Sequence, residues 1–269
     1  MTERSPYDGP VAIESFLGWQ PEMPRELLGH GILFAGMKLI LYARYKSYKS
    51  MLAYWAAWRM RDALDVLGIP VHQDGVSSLY LQGEIDDALM WKRAQAMWPN
   101  QPQSAVNGNR QSMYIWNTIK FGLKLDTSEG MKILEDKVAA LMPLDVLIVD
   151  PLYKYVSADI TSPAAVQYFQ DRLDKLAAKY GIAIWIIAHP RKPPRDGNDG
   201  DGSVDDLLGS STWANWADTV LKVYRPQNQA QDVFILKNEG VARHAEEEIK
   251  DVVYRFDRKT LTFHTTLLT

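Results

Sequence analysis

Leu39-Ile40-Leu41-Tyr42-Ala43-Arg44-Tyr45-Lys46-Ser47-Tyr48-Lys49-Ser50 is the stretch on which the fold of this 269-residue chain turns. Its first five residues form a short apolar run of buried-strand type, its middle is polar, and from about Lys49 to Leu67 the pattern is helical, closed by Gly68-Ile69-Pro70. A strand that feeds a helix through a tight turn aims backbone N–H groups at an anion. A Lys at the head of that helix reaches terminal phosphates, and the Ser or Thr after it holds Mg²⁺. Lys49 and Ser50 occupy those places, and the spacing from Ala43 to Tyr48 equals that of the two glycines such a loop ordinarily carries. Neither position is glycine. If Tyr48 must take a positive φ it costs ~1 kcal/mol or more, so two readings stand at this point: a nucleotide loop spanning Arg44, Tyr45, Lys46, Ser47, Tyr48, Lys49, Ser50 and Met51, or a solvated basic turn.

Two acids downstream bear on the choice. Val146-Leu147-Ile148-Val149-Asp150 is an apolar run ending in a carboxylate, the pattern of a strand covered on both faces, and such an acid supports a Mg²⁺ shell opposite a phosphate loop. Leu79-Tyr80-Leu81-Gln82-Gly83-Glu84 places a second carboxylate at the end of another strand, positioned to activate water. The plainer reading of Glu84 is charge complementing a helix start, together with Asp86 and Asp87.

Strand and helix alternate along the rest of the chain. Strands are expected at Val76 to Leu81, Met113 to Thr118, Asp145 to Val149 and Ile182 to Ala188. Helices are expected at Ile85 to Trp98, at Ser162 to Tyr180, and from a Ser128 cap to about Leu141. Pro99 to Arg110 reads as loop, and so does Pro190 to Asp206, rich in Pro, Gly and Asp. The last third turns to strands at Thr219 to Tyr224, Asp232 to Lys237, Val252 to Phe256 and Leu261 to His264. The fold class is α/β: a mostly parallel, doubly wound sheet with an antiparallel, β-rich C-terminal edge.

Composition excludes several classes. At 46% hydrophobic and 23% charged the chain is neither disordered nor fibrous, and without cysteine it has no disulfide framework or thiolate zinc site. Nothing in the first thirty residues resembles a signal peptide or membrane span, so a cytoplasmic, membrane-free protein is expected. The net charge of −3 disfavours a generic nucleic-acid binder. The charge is nonetheless uneven: Lys38, Arg44, Lys46, Lys49, Arg59 and Arg61 fall in a window without an acid.

Taken together, the strand-turn-helix, Gly83-Glu84, Val149-Asp150-Pro151-Leu152-Tyr153-Lys154, Ala188-His189-Pro190-Arg191-Lys192 and Gly209-Ser210-Ser211-Thr212-Trp213-Ala214-Asn215 resemble the RecA-like P-loop ATPases. Among these they are similar to the hexameric replicative helicases of the RepA and DnaB type from plasmids and phages. The resemblance implies a RecA-like ATPase domain over 31–269 behind an N-terminal arm, 1–30, with ATP and Mg²⁺ as cofactors. It assigns Lys49 to the phosphates, Ser50 and Asp150 to the metal, Glu84 to catalysis and His189 to sensing the γ-phosphate. Lys237, with Arg243 where Glu239 replaces the usual arginine, would act on the neighbouring subunit's nucleotide. A homo-oligomeric ring on single-stranded DNA follows as the expected partner set. Trp213 and Trp216 fit packing better than base stacking, and aromatic residues of the arm (Tyr7, Phe16, Trp19) are candidates to dock on a neighbour. The missing glycines and Glu239 keep open a RecA-fold binding protein that hydrolyses poorly. A small-molecule kinase is disfavoured because no arginine-rich lid is visible.

Overall fold

The computed structural model describes residues 9–98, 111–158, 162–190 and 211–268. The expected loops at 99–110 and 191–206, and Tyr7 of the arm, lie outside the described residues. The elements in chain order are α1 (Ile13–Leu17), β1 (Glu26–Leu28), β2 (Leu33–Phe34), β3 (Lys38–Ala43), α2 (Lys49–Arg61), β4 (Ser78–Gln82), α3 (Asp87–Met97), β5 (Met113–Asn117), α4 (Ser128–Ala140), β6 (Val146–Asp150), α5 (Pro163–Tyr180), β7 (Ala183–Ala188), α6 (Ser211–Trp216), β8 (Thr219–Tyr224), β9 (Val233–Ala242), β10 (Val252–Asp257) and β11 (Thr262–Thr265).

Nine strands form one sheet in the order β11-β10-β9-β8-β3-β7-β6-β4-β5. From β8 to β5 every pairing is parallel, while β8 to β11 are joined by antiparallel pairings. The central strands read as continuous apolar runs because both faces are covered: every residue of β4, β6 and β7 is buried. On one face α2 and α3 pack with Leu39, Leu41, Ile148 and Ile187. On the other, α4, α5 and α6 pack with Ile40, Leu147, Val149 and Ile186. This is the doubly wound arrangement, and crossover connections bring the C-terminal ends of β3, β4, β6 and β7 to one rim.

Several boundaries differ from the sequence reading for local reasons. Helix α2 ends at Arg61 rather than Leu67, because the Asp65 carboxylate binds the Gly68 N–H (2.9 Å) and the Arg59 guanidinium (2.9 Å), turning the chain sharply. The cap of α4 is Thr127, whose hydroxyl accepts from Gly130 N (3.0 Å), and not Ser128. The strand expected to end at Lys237 continues to Ala242 through a bulge, where four residues of β9 oppose two of β8. The pairing of β1 with β2 carried no clear sequence signal; Leu27, Leu28, Ile32 and Leu33 are core residues. Trp213 is fully buried against Phe169, and the Trp216 indole N–H donates to Asp174, so both tryptophans are packing residues. Among the described residues no helix is long and apolar enough to cross a membrane.

Candidate functional site

At the rim where β3 ends, the chain makes a turn that glycine would make easily and this sequence makes without it. Lys46 (φ 63°) and Tyr48 (φ 58°) both lie in the left-handed region, each at a cost of roughly 1 kcal/mol or more. Packing offsets the strain at Tyr48: its ring lies 4.1 Å from Phe256 and 5.7 Å from Phe234, with the Arg258 guanidinium 5.8 Å from its centroid. Ser47 Oγ donates to Arg44 O (2.7 Å) and closes the turn from inside. Ala43, at the other usual glycine position, is simply the last residue of β3.

Helix α2 then begins with no side-chain cap. The N–H groups of its first turn have no partner within the helix and face the turn's concave side, an arrangement that favours an anion. Lys49 is 6% exposed, and its Nζ lies 3.0 Å and 3.1 Å from the two ring nitrogens of His189 at the end of β7. Burial holds the Lys49 ammonium below the usual lysine range, while Asp150 and Glu84 pull it back up. The same burial, with the Lys49 charge, pushes His189 down to about 4, so the imidazole is neutral at pH 7 and accepts from the ammonium.

Ser50 Oγ donates to Asp150 Oδ1 (2.8 Å). Tyr80, on β4, donates to the other carboxylate oxygen and lies 3.1 Å from Ser50 O. Burial pushes the Asp150 carboxyl up to about 6 in spite of these donors, so the ionised form is held at a cost that a cation beside it would relieve. A hydroxyl and a carboxylate suit Mg²⁺, which takes oxygen ligands and keeps several waters. Among the described residues no cluster of three or more His, Asp or Glu side chains offers a protein-only metal cage.

Glu84 lies outside helix α3, two residues before the Asp86 cap, whose own carboxylate accepts from Leu89 N. Its carboxylate accepts from Tyr153 Oη, on the 3₁₀ turn Leu152–Lys154 that follows Asp150-Pro151. Gly83 makes this approach possible: a Cβ there would stand 3.0 Å from Lys154 Cβ. A cavity of about 240 Å³ joins these parts, and Tyr45 to Met51, Glu84, Asp150 and His189 all line it. Of the residues named from sequence, Arg44 is exposed beside this cavity and turns it through its carbonyl. Tyr45, 73% exposed, stacks on His189 at 4.5 Å.

Lys237 and Arg243 do not join this group within the chain. Lys237 lies opposite Lys222, level with Tyr42 at the loop end of the sheet, and its Nζ is 3.8 Å from Glu239. Arg243 binds the carbonyls of Asp218 and Asn215 at the other end of β8, four strand residues or about 13 Å away. The two cations thus do not share one location. Tyr80, Tyr153 and Arg93 also belong to the rim, and the sequence reading passed over them. Arg93 had a signal: it shares the buried face of α3 with Met90 and Met97, where a cation is out of place unless it faces a cavity.

Residues 5–195, 71% of the chain, match the family model of the AAA domain. The chain belongs to this AAA-domain family. Among solved structures this AAA-domain protein is similar to an ATPase domain solved by itself (14% identity over 87% of this chain and 86% of that one, TM-score 0.63). It is similar to the RadB recombinase (13% identity, 95% and 96% covered, TM-score 0.56) and to a DnaB-like replicative helicase solved for its interactions with primase (14% identity, 86% and 57% covered, TM-score 0.58). No curated protein matches the sequence. The likenesses establish that the AAA-domain protein has the RecA-like ATPase fold.

Proposed function

We propose that this AAA-domain protein binds ATP with Mg²⁺ at the rim of β3, β4, β6 and β7 and hydrolyses it to drive a motor on single-stranded DNA, as a ring of identical subunits in the manner of replicative helicases. The observation that carries the reading is the convergence of Lys49, Ser50, Glu84, Asp150 and His189, from separate segments of the chain, on one cavity at an uncapped helix start.

In this reading the N–H groups of α2 and the Lys49 ammonium hold the β- and γ-phosphates. Mg²⁺, held by Ser50 and by Asp150 through water, supplies charge neutralisation at the phosphates when bound. Phosphate draws Lys49 away from His189, which is left neutral and free to donate a hydrogen bond to the γ-phosphate. Glu84 accepts a proton from the attacking water. Lys237 reaches the nucleotide of the adjoining subunit.

The test is steady-state ATP turnover with and without single-stranded DNA, alongside the molecular mass in solution with ATP. Turnover that requires Lys49 and Glu84 and rises with DNA supports the reading; turnover indifferent to Lys49→Ala or Glu84→Gln overturns it.

One observation favours a second reading, a slowly hydrolysing recombination mediator or structural replication factor. Glu239, whose side chain is 8% exposed, accepts from Tyr42 Oη (2.9 Å) and pairs with Lys237 in the same chain, so the position usual for a finger arginine is an internal carboxylate. Saturable ATP binding without measurable turnover would favour it.

A further inference from the structure

We propose that Tyr153 is a positioning residue for Glu84: its phenol holds one carboxylate oxygen so that the other faces the cavity where water attacks. This rests on the reading of Glu84 as the base of an ATPase. Glu84 sits on a loop, and its side chain is exposed. An exposed glutamate samples many rotamers, of which few aim a lone pair at a given water. Its Oε1 accepts from Tyr153 Oη, and its backbone N–H donates to the Gln82 side chain, so both ends of the residue are held.

The device is built into the turn that carries Asp150. The 3₁₀ turn follows Asp150-Pro151 directly, and its Lys154 packs on the Cα of Gly83, so any shift of the metal-holding strand end is passed to the clamp. The ring is itself fixed from two sides. Its centroid lies 5.9 Å from that of His189, and the Lys154 ammonium stands 5.3 Å from the ring centre. His189 bridges in turn to Lys49 Nζ and to the Tyr45 ring. Glu84 is thereby linked, through one phenol and one imidazole, to the lysine that meets the phosphates. Burial and the Glu84 charge both push the phenol above the ordinary tyrosine range, so it stays a donor at neutral pH.

The test compares wild type, Tyr153→Phe, Glu84→Gln and the double variant by single-turnover and steady-state ATP hydrolysis, with binding of a fluorescent ATP analogue measured in each. Phenylalanine keeps the ring against His189 and removes only the donor. Tyr153→Phe is expected to lower kcat about tenfold, the order of a side chain released from one rotamer, with KM and analogue affinity within about twofold. In the Glu84→Gln background it is expected to cost nothing further. Unchanged kcat in Tyr153→Phe, or an equal fractional loss in both backgrounds, overturns the clamp, because the phenol then acts on packing. If Glu84→Gln hydrolyses like wild type, or wild type does not hydrolyse, the base reading fails and the clamp with it. If Glu84→Gln is slow and Tyr153→Phe is not, only the clamp fails.

Discussion

The loop end of the parallel strands and the bulge of β9 both carry charged residues, but they are organised differently. At the rim of β3, β4, β6 and β7, Lys49, Asp150, Glu84 and His189 meet although 140 residues separate the first from the last, because parallel strands joined by crossovers must deliver their ends to the same side. On β9 the cations six positions apart, Lys237 and Arg243, end at opposite ends of β8, and the bulge turns Glu239 inward to Tyr42. Topology gathers the first group; register and one bulge disperse the second.

The largest expected effect breaks the first region. Lys49→Ala removes the buried ammonium from the helix start and is expected to lower kcat/KM for ATP by roughly 100-fold or more, whereas Arg243→Ala, at the other end of β8, is expected to change it less than about threefold. Steady-state ATP hydrolysis of the two variants checks this, and a larger loss in Arg243→Ala would reverse the ranking of the two regions.

Asp150 gives a contrast of sign. Its folded-state value of about 6 stands above the ordinary 3.8, so the stability linked to it is full below about pH 3.8 and is lost as pH rises through 6. His189, at about 4 against 6.5, runs oppositely: its share is present above pH 6.5 and lost as pH falls through 4. Without Mg²⁺ or nucleotide, Asp150→Asn is therefore expected to stabilise the fold at pH 8 by on the order of 2–3 kcal/mol, with little gain at pH 4, while ATP turnover falls. Urea denaturation at the two pH values measures this. A variant less stable than wild type at pH 8 would show that the Ser50 and Tyr80 hydrogen bonds outweigh burial.

The contrast also explains what the sequence made legible. An apolar run closed by an acid, as at 146–150, identifies both a covered strand and its functional end, and the alternation of strands with helices places that end beside Lys49. Ser128 and Thr127 are adjacent residues of similar capping ability, so pattern alone does not choose between them. Tyr80 and Tyr153 read as core aromatics, since a phenol's partner depends on a strand or turn distant in sequence. The β9 bulge left no residue-type signature beyond Gly240, and Arg243 could be placed only once the strand's true length was known. The left-handed Tyr48 was the opposite case: the spacing required it, and residue type argued against it.

Tyr48→Gly separates these two demands. Glycine relieves a left-handed strain of ~1 kcal/mol, but it removes the ring from Phe256, Phe234 and Arg258, contacts of about 0.5–1.5 kcal/mol each. The variant is expected to lose about 1–2 kcal/mol of stability in thermal or urea unfolding, with ATP affinity held or improved. A gain in stability would mean that the turn, and not the aromatic cluster, dominates.

The smallest effect concerns the bulge. The Lys237–Glu239 pair is 3.8 Å long with the lysine 42% exposed, so it is worth under ~1 kcal/mol. Glu239→Gln keeps an acceptor for Tyr42 and removes only the charge that retains Lys237. If Lys237 serves a neighbouring subunit, its release is expected to raise turnover about threefold, within the free energy of that pair, and the gain must vanish in a Lys237→Ala background. Because the released group acts on another subunit, the gain must also grow with protein concentration across the assembly range. A rise independent of both Lys237 and concentration would instead place the effect of Glu239 inside its own chain, through Tyr42 and the strand that leads into the phosphate loop.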